Sequence, residues 1–214
     1  MSFNGFCKDD FRVFAIEGLD ARMDEIKNRV QPKLHTLGEE FSRYLAEKTG
    51  QEMYYHVAKH ARRTVNPPKD TWVAFANNKR GYKMLPHFQI GLFRTHVFVW
   101  FAVIYESPVK EKIGEAFAEQ LQEIKLHIPS SYQWSVDHTK PDTVDHGHLS
   151  DETLREMFHR LAKVKKAELL CGMNLPSEDP AVKDGRLLTE KIKEAFNILL
   201  PLYHISMRVY ENEA

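Results

Sequence analysis

Thr71-Trp-Val-Ala-Phe-Ala76, Phe88-Gln-Ile-Gly-Leu-Phe93 and Val97-Phe-Val-Trp-Phe-Ala-Val-Ile-Tyr105 are the stretches whose reading decides the fold. Each is short, rich in aromatic and β-branched residues and flanked by turn formers, which is the pattern of a strand. In the second, Phe88, Ile90 and Leu92 alternate with Gln89 and Gly91. The third is apolar on both faces, so it belongs in the centre of a sheet, covered on both sides. Arg94-Thr95 between them is short enough for a hairpin, and Asn77-Asn-Lys-Arg-Gly81 supplies a turn-bearing connection before them.

Upstream, His56-Val-Ala-Lys-His-Ala-Arg-Arg63 leads into Asn66-Pro67-Pro68-Lys69-Asp70, where the prolines impose a loop. Residues 53–60 fit either a strand or a helix. Over residues 56–83 stand Lys59, Arg62, Arg63, Lys69, Lys79, Arg80 and Lys83 against the single acid Asp70. The whole chain balances 30 basic against 30 acidic side chains, so any pull on an anion must come from this local excess.

Elsewhere the apolar spacing is helical. Leu19, Met23, Ile26, Val30, Leu34, Leu37, Phe41 and Leu45 recur in steps of three and four. Pro32 falls inside this run and removes a hydrogen bond, but the stripe keeps its phase, which predicts one kinked helix over 20–48. Further helices are expected over 110–128, 150–163 and 185–200, with Pro201 kinking or ending the last. Residues 11–16 read as one helical turn followed by an extended segment, 132–136 and 167–173 as strands, and 140–149 as a polar loop. Helices that do not alternate strictly with strands imply an α+β fold with a mainly antiparallel sheet of five to six strands and helices packed around it.

With 214 residues, 43% hydrophobic and 28% charged, a single domain spanning 1–214 is expected. The two cysteines, Cys7 and Cys171, are too few for a disulfide framework and sit beside apolar residues, so reduced, partly buried thiols are expected. The N-terminal residues lack a charged head followed by a long apolar run, and the longest apolar run is too short to span a bilayer. A cytoplasmic location without membrane attachment follows as an expectation.

Several motifs then combine into a resemblance. They are Phe14-Ala-Ile-Glu-Gly-Leu-Asp-Ala-Arg-Met23, His56-Val-Ala-Lys-His-Ala-Arg-Arg-Thr-Val-Asn-Pro-Pro68 and Trp72-Val-Ala-Phe-Ala-Asn-Asn-Lys-Arg-Gly-Tyr-Lys83, with Leu85-Pro-His-Phe-Gln-Ile-Gly91, Asp137-His-Thr-Lys-Pro141 and Lys165-Lys-Ala-Glu-Leu-Leu-Cys171. The chain resembles the YktB-like family of small cytosolic proteins of Gram-positive bacteria, a domain of unknown function, over nearly its whole length. That resemblance implies a compact α+β domain in a bacterial cytoplasm and brings no activity, cofactor or catalytic residue with it.

Function is therefore read from the residues. Lys59, Arg62, Arg63, Lys79, Arg80 and Lys83 could hold a phosphate-bearing ligand, a nucleotide or RNA, with Trp72 and Tyr82 (and Tyr54 or Tyr55) stacking on bases. The plain alternative is a solvated basic face paired with acidic helix faces. A second reading is an enzyme for a small phosphorylated or acidic substrate, with His60, His87 or His138 handling the proton. A third is a partner-binding or structural module. On a helix, His56 and His60 would share a face within roughly 5–6 Å and could ligate a metal, with His146 or His148 as a third ligand. On a strand they would lie about 13 Å apart and could not. No metal or cofactor is expected. Asp137 cannot orient His138 if a strand continues through both, since neighbours on a strand point to opposite faces. Cys171 reads as a buried thiol.

Overall fold

The computed structural model describes residues 3–213. Seven strands form one sheet: β1 (Tyr54–Val57), β2 (Asp70–Ala76), β3 (His87–Phe93), β4 (His96–Val103), β5 (Gln133–Ser135), β6 (Val144–Asp145) and β7 (Leu169–Pro176). Their order is β1-β2-β3-β4-β7-β5-β6 and every neighbouring pair is antiparallel. The sheet exceeds the expected five to six strands because residues 140–149, read as loop, contain β6 and a 3-10 turn. Two hydrogen-bonded residues are too few to leave a periodic signal. Residues 54–57 resolve the helix-or-strand question as a strand. Arg94 and Thr95 form the β3–β4 hairpin, and β4 lies centrally, buried along its whole length.

The helices are α1 (Lys8–Arg12), α2 (Leu19–Glu25), α3 (Gln31–Thr49), α4 (Lys110–Glu119), α5 (Leu121–His127), α6 (Asp151–Lys163), α7 (Pro180–Lys183) and α8 (Gly185–Glu213). Residues 13–15 remain helical, as a 3-10 turn, where an extended segment was expected. Between α2 and α3 the chain passes through one π-helical segment, Ile26–Val30. Pro32 has no N–H, and its ring would crowd the carbonyl four residues back. The wider turn takes up both problems, so the apolar stripe continues unbroken. Gly50, at φ 69°, closes α3 in the left-handed region. The expected helix over 110–128 is divided at Gln120. Pro201 does not end α8, which runs on to Glu213 because Leu202, Tyr203, Ile205 and Met207 extend its buried face.

One face of the sheet meets the helices. Val73, Phe75, Phe88, Ile90, Leu92, Val97, Val99, Phe101 and Cys171 join Phe41, Phe117, Phe158, Phe196 and Tyr203 in the main core. Each such side chain contributes about 1.5–3 kcal/mol by leaving water. The opposite face carries a smaller cluster of Phe93, Phe98, Trp100, Ala102, Ile104 and Leu170, with Trp72 at its border, and no helical residue belongs to it. The rings of His60 and His138 lie edge-on to Trp72, so side chains of connecting segments cover this face.

At the β4–β7 pairing, Gly172 stands opposite Trp100, and a Cβ there would run into the Val99 carbonyl oxygen. Backbone cannot retreat as a flexible side chain can. Gly172→Ala is therefore expected to destabilise the protein by about 3 kcal/mol, the upper part of the range for overpacking. Urea unfolding followed by tryptophan fluorescence checks this, and an unchanged midpoint would contradict the close approach.

Candidate functional site

The basic stretch is divided by β2. Lys59 follows β1, while Arg80, Tyr82 and Lys83 lie on the β2–β3 connection, and these four line one groove of about 850 Å3. Gln31 and His35 of α3, Tyr55, His56 and Val57 of β1, and Tyr210 of α8 complete its walls, together with Asn78, Gly81, Met84 and Leu85. No carboxylate among the described residues lines it. The connection is held in place by short-range bonds: His56 Nε2 is 2.9 Å from the Asn78 carbonyl oxygen, and the Arg80 N–H donates to Asn78 Oδ1 at 2.8 Å. Tyr55 lies against α3 because residue 38 is glycine, where any Cβ would overlap the Tyr55 ring. Lys83 is paired with Glu106 at 3.0 Å, whereas Lys59 and Arg80 have no ion pair among the described residues.

The remaining expected ligand contacts lie elsewhere. Arg62 and Lys79 are exposed and line neither this groove nor the next. Arg63 faces a different cavity, with Arg22, Lys69 and Lys140. Trp72 is half-buried on the second face of the sheet, its indole N–H donating to the Tyr82 hydroxyl at 3.0 Å, so its ring is engaged by the fold rather than offered to a base. Residues 62–63 and 79–80 are thus not one cluster. Only Lys59 from the first loop joins the second.

The three histidines separate just as clearly. His87 is fully buried: its Nδ1–H donates to the Leu85 carbonyl at 2.8 Å and its Nε2 accepts from Gln89 at 2.9 Å. Both nitrogens are occupied in the neutral ring, and burial pulls its pKa down to about 4. His60 sits in the left-handed region at φ 50°, with Nε2 3.2 Å from the Thr71 hydroxyl. Burial, then the charge of Arg63, brings it to about 4 as well. His138 differs. Burial alone would lower it, but the hydrogen bond and charge of Glu168 outweigh burial and raise it. Its Nδ1 lies 2.7 Å from Glu168 Oε2, which also accepts the His138 backbone N–H at 3.0 Å. No hydrogen bond engages His138 Nε2 among the described residues. β5 ends at Ser135, so no strand continues through 137 and 138, and the orienting acid comes from the entrance of β7. Reasoning along the sequence missed Glu168, although an acid directly before the apolar run 169–171 was a visible signal.

Asp137, His138 and Glu168 each place one potential ligand atom within 4.8 Å of the others. These atoms are already engaged: Asp137 Oδ1 accepts from the Thr139 backbone and hydroxyl, and its other oxygen faces Lys140 at 3.3 Å. The pairing of His56 with His60 fails as a metal site because no helix carries them. His146 is occupied by Trp134 and the Lys125 carbonyl. Cys171 is buried, and burial pushes its thiol well up, whereas Cys7 is exposed.

An all-antiparallel sheet with helices on one face, and cation-lined grooves at its rim, defines the class: an α+β protein with no helix long and apolar enough to cross a membrane among the described residues. The chain belongs to the family described as Domain of unknown function (DUF1054), whose model matches residues 6–203. It is 52% identical to the UPF0637 protein of Bacillus cytotoxicus over 97% of this chain and all of that one. It is 53% identical to the UPF0637 protein of Bacillus licheniformis over 98% of this chain and 99% of that one. Among solved structures, a conserved hypothetical protein from Pyrococcus furiosus is 14% identical, covering 84% of this chain and 95% of that one, with a TM-score of 0.38, too low to carry an argument.

The buried titratable groups fix a pH dependence. His60, His87 and His96 all lie near 4, below the ordinary 6.5, so between about 4 and 6.5 the unfolded chain binds more protons and stability rises with pH. Asp70 opposes them: burial pushes it from 3.8 to about 6, so in that window the folded state holds the extra proton and stability falls as pH rises. The raised pKa of His138 contributes stability that is present below 6.5 and lost as pH climbs through its folded value. Three groups outweigh one, so unfolding midpoints are expected to drop from pH 6.5 to 4.5. Each group in excess contributes about 1.4 kcal/mol per pH unit at most. Asp70→Asn is expected to steepen that drop and to stabilise the protein at pH 7.5. Loss of stability in that variant at pH 7.5 would show the carboxylate to be satisfied where it lies.

Proposed function

We propose that this protein binds a small phosphate-bearing ligand of the nucleotide class in the groove between β1 and the β2–β3 connection. One observation carries the reading: Lys59 and Arg80, unpaired with any carboxylate among the described residues, meet over a concave surface walled by Tyr55 and Tyr82 and free of acids. Lys and Arg there supply charge-assisted hydrogen bonds to phosphate, and the aromatic walls supply a surface for a base. The volume suits a mononucleotide or dinucleotide. An RNA strand would call for a continuous cationic track, and the separation of Arg63 and Lys69 from Lys59 and Arg80 into different cavities disfavours it.

The second reading, an enzyme acting on a small phosphorylated or acidic substrate, is favoured by His138. Its Glu168 partner orients the ring as a general base is oriented, leaving Nε2 available. His60 and His87, held neutral by burial, serve that role less well.

Titration with a fluorescent adenine nucleotide at low salt tests the first reading. Saturable binding is expected, and Lys59→Ala with Arg80→Ala should weaken it more than tenfold, since each charged hydrogen bond contributes about 1.5–3 kcal/mol. The slope of log affinity against log salt should shrink by about one for each cation removed. Absence of saturable binding, or equal binding by the double variant, would refute it.

A further inference from the structure

Arg63, which does not reach the groove of Lys59 and Arg80, meets other cations at a second place. Arg22 of α2, Arg63 and Lys69 of the β1–β2 connection, and Lys140 of the segment after β5 line a cavity of about 550 Å3 with Asn66, Pro67 and Thr139, and no carboxylate among the described residues lines it. Three separate parts of the chain supply those four charges, and none of the sequence clusters contained them together.

Arg22 is the fixed point. Its Nε–H donates to the Ile16 carbonyl and an Nη1–H to the Pro68 carbonyl, both at 2.8 Å. Two neutral acceptors orient the guanidinium without neutralising it, and its remaining N–H groups are left to other partners. It has no carboxylate partner among the described residues, and burial together with the nearby charge of Arg63 disfavours its charged form. Arg63 is likewise anchored to a carbonyl, that of Asn66, at 3.3 Å. Lys69 has no ion pair among the described residues. Lys140 meets only Asp137, at 3.3 Å, in a pair whose lysine is largely exposed. Such a surface pair is weak enough to exchange for a ligand. Like charges assembled around a hollow repel one another, and an anion placed among them removes that repulsion.

A smaller depression of about 350 Å3 shares Arg22 and Lys69 with that cavity and is lined further by Phe14, Phe93, Pro141, Arg94 and Thr95. Phe14, Phe93 and Pro141 give it an apolar wall beside those cations, and its volume is too small for acyl chains, which suits the compact organic body of a soluble phosphate ester rather than a lipid.

We propose that Arg22, Arg63, Lys69 and Lys140 form a second anion site, which takes the phosphate or pyrophosphate end of a small soluble molecule while Phe14, Phe93 and Arg94 receive the rest. This site is distinct from the groove of Lys59 and Arg80 and does not depend on it.

The test uses the full chain, pyrophosphate as the probe, and a low-salt buffer free of phosphate. Calorimetry measures affinity, and the Nε–H resonances of Arg22 and Arg63 report the place of binding. Saturable shifts of both resonances are expected. Arg63→Ala with Lys69→Ala, both at exposed positions, should lower affinity at least tenfold, while Lys59→Ala with Arg80→Ala leaves the Arg22 shift unchanged. Arg62→Ala with Lys79→Ala serves as a charge-matched control. An Arg22 resonance that does not move, an equal loss in the charge-matched control, or loss of the shift in the Lys59 and Arg80 variant would each overturn the proposal.

Discussion

β4 must be buried on both faces, and the helices reach only one of them. That constraint organises the molecule. Val97, Val99, Phe101 and Val103 point into the helical core, while Phe98, Trp100 and Ala102 point the other way, where no helical residue joins the cluster. Leaving those rings in water would forfeit about 1.5–3 kcal/mol each, so connecting segments cover them. Their contribution is polar and aromatic rather than aliphatic: His60, His138 and Tyr82 close around Trp72.

This second layer explains why the charged groups lie where they do. A connection folded back over a sheet turns some of its side chains inward and leaves the rest at the rim. From the β1–β2 connection His60 turns inward, whereas Arg63 and Lys69 line the rim cavity and Lys59 lines the groove on the other side. The segment after β5 does the same, with His138 bonded to buried Glu168 and Lys140 at the surface. The buried polar side chains and the surface cations are therefore two sides of the same loops.

Among the histidines, burial alone does not decide chemistry. His87 and His138 are both withdrawn from solvent, but His87 finds two neutral partners and His138 finds a carboxylate. The first is held uncharged and structural, whereas the second is biased toward the charged form with one nitrogen unengaged. Asp70 nearby experiences the same apolar surroundings with a different result, its carboxyl pushed up to about 6.

The amino-acid sequence by itself determined the strands over 71–76, 88–93 and 97–105, the hairpin at Arg94-Thr95, the helical stripe through Pro32 and the α+β class, because each rests on periodicity within a dozen or so neighbours. It also marked Lys59, Arg62, Arg63, Lys79, Arg80 and Lys83 as a local excess of positive charge, which is visible without coordinates. It could not place Arg22 and Lys140 beside Arg63, Glu168 beside His138, or β6 at the sheet edge. Those depend on antiparallel pairings between distant segments and on loops closing a face that no helix covers. Charge clustered along a chain and charge clustered in space differ wherever a connection folds back over a sheet. Here Lys59 and Arg63, on one connection, line different cavities, while Lys59 joins Arg80 from beyond β2, and only the tertiary structure could decide that.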